Sequence, residues 1–277
     1  MTRFWILLCF IGLGVTGTPA VSADRVAIAD GVATEIVFLM NAADKIAGVD
    51  ETSRYPLKAQ SLPQIGYFRR LSAEGVLSLT PDLLLASPSA GPPVALDQIK
   101  NAGVDVVILP DVDTLDDVAP KIEAIGAALE MPAEAGAVAS AFKAELAALR
   151  GSIPTRNPPP RVMFVLSIRD SAPLVAGTGT TSDEVIREAG AVNVATFEGF
   201  KPMSREAVIA AAPDLLLMTE EHSTTLGGIA TVLTRPEFAL TPAGEANRFL
   251  TLPALTVLGL GPRTPGAILK LREALGR

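Results

Sequence analysis

Two short strings carry the side chains best suited to holding a ligand. Ile65-Gly66-Tyr67-Phe68-Arg69-Arg70-Leu71 and Phe197-Glu198-Gly199-Phe200-Lys201-Pro202-Met203 each set aromatic rings beside a basic residue. Rings supply apolar surface and cations pair with anions, which is binding chemistry. The signatures of bond-breaking chemistry are missing: there is no P-loop, no Gly-x-Ser-x-Gly and no His-Glu-x-x-His. Gly177-Thr178-Gly179-Thr180-Thr181 looks like a piece of a phosphate loop, but it lacks the lysine and reads as a turn entering a helix. The lone cysteine, Cys9, lies in the first 23 residues, so the rest of the chain has no thiol nucleophile and no disulfide. A zinc or manganese site needs several ligands of a kind that a single histidine, His222, cannot supply. The expectation is a binding protein and not an enzyme.

What positions the two strings is an internal repeat. Ser72-Ala73-Glu74-Gly75-Val76-Leu77-Ser78-Leu79-Thr80-Pro81-Asp82-Leu83-Leu84-Leu85-Ala86-Ser87 returns as Ser204-Arg205-Glu206-Ala207-Val208-Ile209-Ala210-Ala211-Ala212-Pro213-Asp214-Leu215-Leu216-Leu217-Met218-Thr219, with eight of sixteen positions identical. Each copy reads as a Ser-capped helix, a stop at Pro-Asp, then a buried strand. One repeat this long and this widely spaced is no solenoid, and it predicts two similar lobes. Helices alternating with short apolar runs make both lobes α/β, with mainly parallel sheets. Pro132 to Arg150 is the longest helical stretch, with Val138, Phe142, Leu146 and Leu149 on one face. The predicted architecture is a first lobe over residues 24–131, one long rigid linking helix over 132–153 and a second lobe over 154–277. A ligand cleft should lie between the lobes, where the carboxyl ends of parallel strands meet. The loops at Pro88–Pro93 and Glu220–Thr225, which follow the repeated strands, should face it.

Composition agrees with two modest cores: 49% of the 277 residues are hydrophobic and 19% charged. The formal charge of −7 argues against nucleic acid as a partner. Met1-Thr2-Arg3, the apolar run Phe4 to Val15 and the small residues Val21-Ser22-Ala23 have the form of a signal peptide, with cleavage expected near Ala23. The apolar run is short for a membrane-spanning helix, and no other segment approaches that length. The mature chain is therefore expected in the periplasm, without membrane insertion and as a monomer.

Asp50-Glu51-Thr52-Ser53-Arg54-Tyr55-Pro56, followed by Gly66-Tyr67-Phe68-Arg69-Arg70-Leu71-Ser72-Ala73-Glu74-Gly75, resembles the periplasmic haem-binding proteins of bacterial ABC haem importers. Phe197-Glu198-Gly199-Phe200-Lys201-Pro202 and Gly259-Leu260-Gly261-Pro262-Arg263-Thr264-Pro265 extend the resemblance over nearly the whole mature chain. It implies haem as the transported ligand and an inner-membrane ABC permease as the partner. The wider family also carries cobalamin, ferric siderophores and metals, and a cobalamin or siderophore carrier is the alternative reading.

The resemblance makes Tyr67 the axial ligand of ferric haem, since a phenolate is a hard donor suited to Fe(III). Free phenol ionises near pH ~10, so Arg69, two residues on, is the expected cationic helper. Without the resemblance, the plainer reading is a packed ring beside a surface charge. Tyr55 is the competing tyrosine, either stacked on the macrocycle or capping the turn before Pro56. Arg54, Lys201 and Arg263 are the candidates for the two haem propionates. Some relatives supply a second-lobe histidine after the strand corresponding to Val162–Ser167, where this chain has Ile168-Arg169-Asp170, leaving His222 as a candidate sixth ligand or a solvated loop residue. Glu74 and Glu206 hold equivalent first-turn positions, where a carboxylate complements the helix dipole. In the resembling family, matching glutamates dock onto permease arginines.

Overall fold

Short, fully apolar runs bounded by turn residues become the central strands of two sheets. The computed structural model describes residues 24–169 and 172–276, so the leader expected over 1–23 lies outside the described residues. In the first lobe, Val26–Ala29 (β1), Ile46–Val49 (β2), Leu83–Ala86 (β3) and Asp105–Ile108 (β4) form a parallel sheet in the order β2-β1-β3-β4. β1 and β3 are buried at every residue, whereas edge strand β4 begins on exposed Asp105. In the second lobe, Arg161–Arg169 (β5), Ala172–Ala176 (β6), Val192–Asn193 (β7), Phe200–Pro202 (β8), Leu215–Thr219 (β9) and Phe249–Leu252 (β10) make a six-stranded sheet. Its order is β10-β9-β5-β6-β8, with β7 also on β5.

β10, β9, β5 and β7 run parallel to one another, but β5-β6 and β6-β8 are antiparallel. Two positions separate β5 from β6, far too few for the crossover that parallel pairing needs, which agrees with their antiparallel pairing. The second sheet is thus parallel through its body, with an antiparallel ribbon along one side.

The repeat folds as the sequence predicts. Ser72 Oγ accepts from Gly75 N at 3.3 Å and Ser204 Oγ from Ala207 N at 3.2 Å, capping helices Ala73–Leu77 and Arg205–Ala211. Each copy then enters the left-handed region, at Thr80 (φ 45°) and Ala212 (φ 41°). The aspartate of each Pro-Asp accepts the backbone N–H of the arginine that opens its lobe's first strand: Asp82 from Arg25 at 3.2 Å and Asp214 from Arg161 at 2.8 Å. Each guanidinium returns to the carbonyls at the helix end, Arg25 Nη2 to Leu79 and Arg161 Nη2 to Ala211. Pro-Asp recurs because it joins a helix stop to a strand start, and the joint needs an arginine from elsewhere in the lobe.

The linking helix Pro132–Arg150 spans about 28 Å at 1.5 Å per residue. It buries Ala135, Ala139, Phe142, Leu146 and Leu149, with Val138 half-buried at the edge of that stripe. Gly126 of helix Val118–Ala128 lies against Ala135 so closely that a Cβ there would stand 2.1 Å from the alanine methyl. One hydrophobic core runs from β1 through both helices to Phe164, Leu217 and Leu271, so the lobes share an interior. Polar ties reinforce it. Arg150 bonds Asp116 of the first lobe at 2.8 Å and Glu188 of the second at 2.7 Å. Buried Arg272 donates to the Leu149 carbonyl at the helix end (2.8 Å) and to the Glu188 carbonyl (2.7 Å). Among the described residues, no helix is long and apolar enough to cross a membrane.

Candidate ligand cleft

The carboxyl ends of β1, β2, β3, β4, β9 and β10 converge on a cleft of about 1040 Å³ lined by both lobes. The first lobe contributes Arg54, Tyr55, Gln60, Tyr67, Phe68 and Arg69 among others, and the second Leu166, Phe200, Pro253, Leu255, Leu258 and Arg263. Arg54, Tyr55, Tyr67, Arg69 and Arg263 are therefore brought together from sequence positions more than 200 residues apart.

The loop bearing Arg54 and Tyr55 is shaped by Asp50, fully buried at the end of β2. Its carboxylate accepts from Thr52 N (3.1 Å), from Thr52 Oγ1 and from Ser53 Oγ (3.0 Å). Burial raises the Asp50 carboxyl above the ordinary carboxylate range, and these hydrogen bonds oppose the rise. Thr52 Oγ1 in turn accepts from Gly31 N at 3.1 Å, where the helix Gly31–Leu39 begins. A side chain cannot replace Gly31, because its Cβ would lie 2.6 Å from the Thr52 carbonyl oxygen and 2.9 Å from Leu255 Cδ1. Asp30 caps the same helix through Val32 N and Ala33 N and holds buried Lys121 at 2.7 Å, closing the cleft floor with a neutralised pair.

Tyr67 follows Gly66, whose φ of 88° suits glycine, and precedes a 3-10 turn over Phe68–Arg70. Its ring meets Phe68 edge-on at 4.8 Å. The guanidinium over the Tyr67 ring belongs to Arg70, at 5.7 Å, while Arg69 lies over Phe68 at 5.2 Å. Arg69, expected beside the phenol oxygen, lines the cleft together with Tyr67, and Arg70 is a second cation next to that ring. A three-residue 3-10 turn brings position i+3 back beside position i, and that periodicity was the available signal.

Arg263 lines the cleft but is already engaged. Its guanidinium makes a two-pronged contact with Glu35 of the first lobe, including Nε to Oε2 at 2.9 Å, and stacks on Tyr55 at 3.8 Å. Glu35 is buried, and burial holds its carboxyl above the ordinary range against the lowering effect of Arg263.

Lys201 and His222 are not among the cleft-lining residues. Lys201 is exposed on β8 with its ammonium over Phe197 at 5.6 Å, because alternation along a strand turns it away from the side Phe200 presents to the cleft. His222 sits in helix Glu220–Thr225, where its Nε2 accepts from the Ile168 backbone N–H at 3.3 Å and is thus committed to the protein. Its neighbours Glu220 and Glu221 line the cleft instead.

Two lobes sharing a core, one long linking helix and a cleft at the strand ends are the architecture of a solute-binding protein, and a family model for periplasmic binding proteins matches residues 26–256. The chain belongs to that family. Among solved structures it is similar to the periplasmic haem-binding protein BhuT in complex with two haems, at 41% identity and a TM-score of 0.84, covering 91% of this chain and 97% of that one. It is likewise similar to the haem-binding protein RhuT of Roseiflexus sp. RS-1, at 39% identity and a TM-score of 0.85 over 91% and 97% of the two chains. Among curated sequences, a vitamin B12-binding protein of Vibrio parahaemolyticus is 28% identical over 71% of this chain and 70% of its own length.

Proposed function

We propose that this periplasmic binding protein carries haem in the interlobe cleft and delivers it to an inner-membrane ABC permease. The observation that carries the reading is Tyr67 on the cleft wall with two guanidiniums packed around the Tyr67–Phe68 pair. A phenolate is a hard anionic donor for ferric iron. Tyr55 is the weaker candidate for the metal because its ring is covered by Arg263 at 3.8 Å, which suits a wall and not a ligand. Arg54 and Arg69 line the cleft and are suited to the propionates, whereas Arg263 would have to be shared with Glu35. The greater identity to haem-binding solved structures than to the vitamin B12-binding sequences supports the same choice.

Delivery would use Glu74 and Glu206. Both are exposed in the first turn of Ser-capped helices, one on each lobe. Hydrogen bonds from its own backbone N–H and from Ser204 lower the Glu206 carboxyl, so it stays anionic at neutral pH. Two like charges at a spacing held by a stiff linker give a two-point electrostatic dock.

The test is a hemin titration of the mature protein followed by visible spectroscopy. Saturable binding with a tyrosinate-type ferric spectrum, lost in Tyr67→Ala and kept in Tyr55→Ala, is expected. A cobalamin carrier is the second reading, favoured by the curated vitamin B12-binding relatives. Saturable cobalamin uptake with no saturable hemin binding would replace the haem assignment with it.

A further inference from the structure

The repeat reaches further upstream than the sixteen residues that reveal it, and its extension points into the cleft. Gly66-Tyr67 and Gly199-Phe200 correspond once a one-residue gap is allowed, Gly66 standing six residues before Ser72 and Gly199 five before Ser204. Both glycines have positive φ, 88° and 72°. Both are pinned through their carbonyls, Gly66 O accepting from Glu51 N at 3.0 Å and Gly199 O from Gly177 N at 2.8 Å. The residue two before Gly66 and the residue one before Gly199 each form an isolated parallel bridge to the end of a preceding strand or its loop: Gln64 with Val49, and Glu198 with Thr178. Beyond each ring a cation lies over an adjacent aromatic, Arg69 over Phe68 and Lys201 over Phe197. Tyr67 and Phe200 both line the one cleft, each from its own lobe.

The pair differs in one atom that matters. Tyr67 has a hydroxyl oxygen and Phe200 has none, and the second-lobe wall near it is continued by Leu166, Leu255 and Leu258. Phe200 is 40% exposed although it is a large apolar ring, which costs hydration free energy unless a ligand covers it.

We propose that Phe200 is the second jaw of the cleft, a specificity-determining ring that covers the face of a flat macrocycle turned away from Tyr67. It offers stacking surface and no donor atom, so the two faces of the ligand meet unlike walls. The inference rests on the cleft being the binding site and adds to the haem reading the ring that covers the ligand's second face.

The experiment is hemin binding to wild type, Phe200→Ala and Phe200→Tyr, measured by titration and by the rate of hemin loss to excess apomyoglobin. Because Phe200 is exposed, all three proteins should fold alike, checked by thermal melts. Loss of a stacked ring typically weakens binding about tenfold or more, so Phe200→Ala should bind at least that much more weakly and release hemin correspondingly faster. The Tyr67-type ferric spectrum should persist in the hemin that remains bound. Phe200→Tyr keeps the ring and should retain affinity within about threefold. Wild-type affinity and release rate in Phe200→Ala would overturn the proposal, as would equal losses in both variants. Failure of hemin to saturate the wild type would instead remove the haem reading. The same three proteins titrated with cyanocobalamin then test the ring, with the same tenfold loss expected in Phe200→Ala and its absence overturning the proposal.

Discussion

Replacing Arg263 by methionine should expose how the two lobes are held together. In the wild type the Arg263 guanidinium bonds Glu35 in two-pronged fashion, and the Glu35 side chain is only 3% exposed. Burial already lifts the Glu35 carboxyl, with Arg263 as the main opposing influence. Without the cation, burial acts alone. Removing one partner of a buried pair typically costs about 3–5 kcal/mol. Arg263 keeps some solvent access, so the lower end, about 3 kcal/mol, is expected at neutral pH. A carboxyl escapes that penalty by binding a proton. A group whose folded pKa is raised contributes stability that is fully present below its unfolded value, about 4.3 for Glu, and lost as pH rises through the folded value. The variant should therefore be close to wild type at acid pH, where Glu35 is protonated in both, and fall behind as pH rises above the ordinary carboxylate range. Urea unfolding at pH 5, 6, 7 and 8 with a common m-value reads this directly. Glu35→Gln combined with Arg263→Met should lose the pH dependence and recover more than half the deficit, the remainder including the lost stacking on Tyr55. A deficit below about 1 kcal/mol at pH 8, or the same deficit at pH 5 and pH 8, would refute this account of the tie.

Three further outcomes follow from other parts of the molecule. Gly31→Ala would drive a methyl against the Thr52 carbonyl and Leu255, and should cost about 1–3 kcal/mol; an unchanged melting temperature would contradict the close contact. Ser72→Ala and Ser204→Ala should each cost about 1 kcal/mol and add in the double variant, since the caps lie in separate lobes; strong non-additivity in urea unfolding would show that the caps are not independent. Glu74→Lys with Glu206→Lys should impair hemin uptake by reconstituted transporter while leaving hemin affinity unchanged, and full uptake would eliminate the docking role.

Part of the cleft wall was legible in the sequence because its signal is local. A positive-φ glycine, an aromatic ring and a cation within five residues define Tyr67 and Arg69 wherever the chain goes, and both line the cleft. The repeat was legible for the same reason, each copy being one cap, one stop and one buried strand in a continuous run. What the reading missed depends on partners far away in sequence. Arg263 looked like a free cation because Glu35 is 228 residues distant, and Glu35 looked like an ordinary residue of an amphipathic helix. The arginines that complete the Pro-Asp joints, Arg25 and Arg161, lie more than 50 residues before their aspartates. Lys201 could not be told apart from Phe200 in the string itself, because only the edge strand into which it folds sets neighbours on alternate sides. The same alternation turns Phe200 into the cleft. A strand assignment at residues 200–202 would thus have set Phe200 toward the cleft and Lys201 away from it. Local patterns point to side chains that can line the cleft; only the fold says which of their charges are already spent on the protein itself.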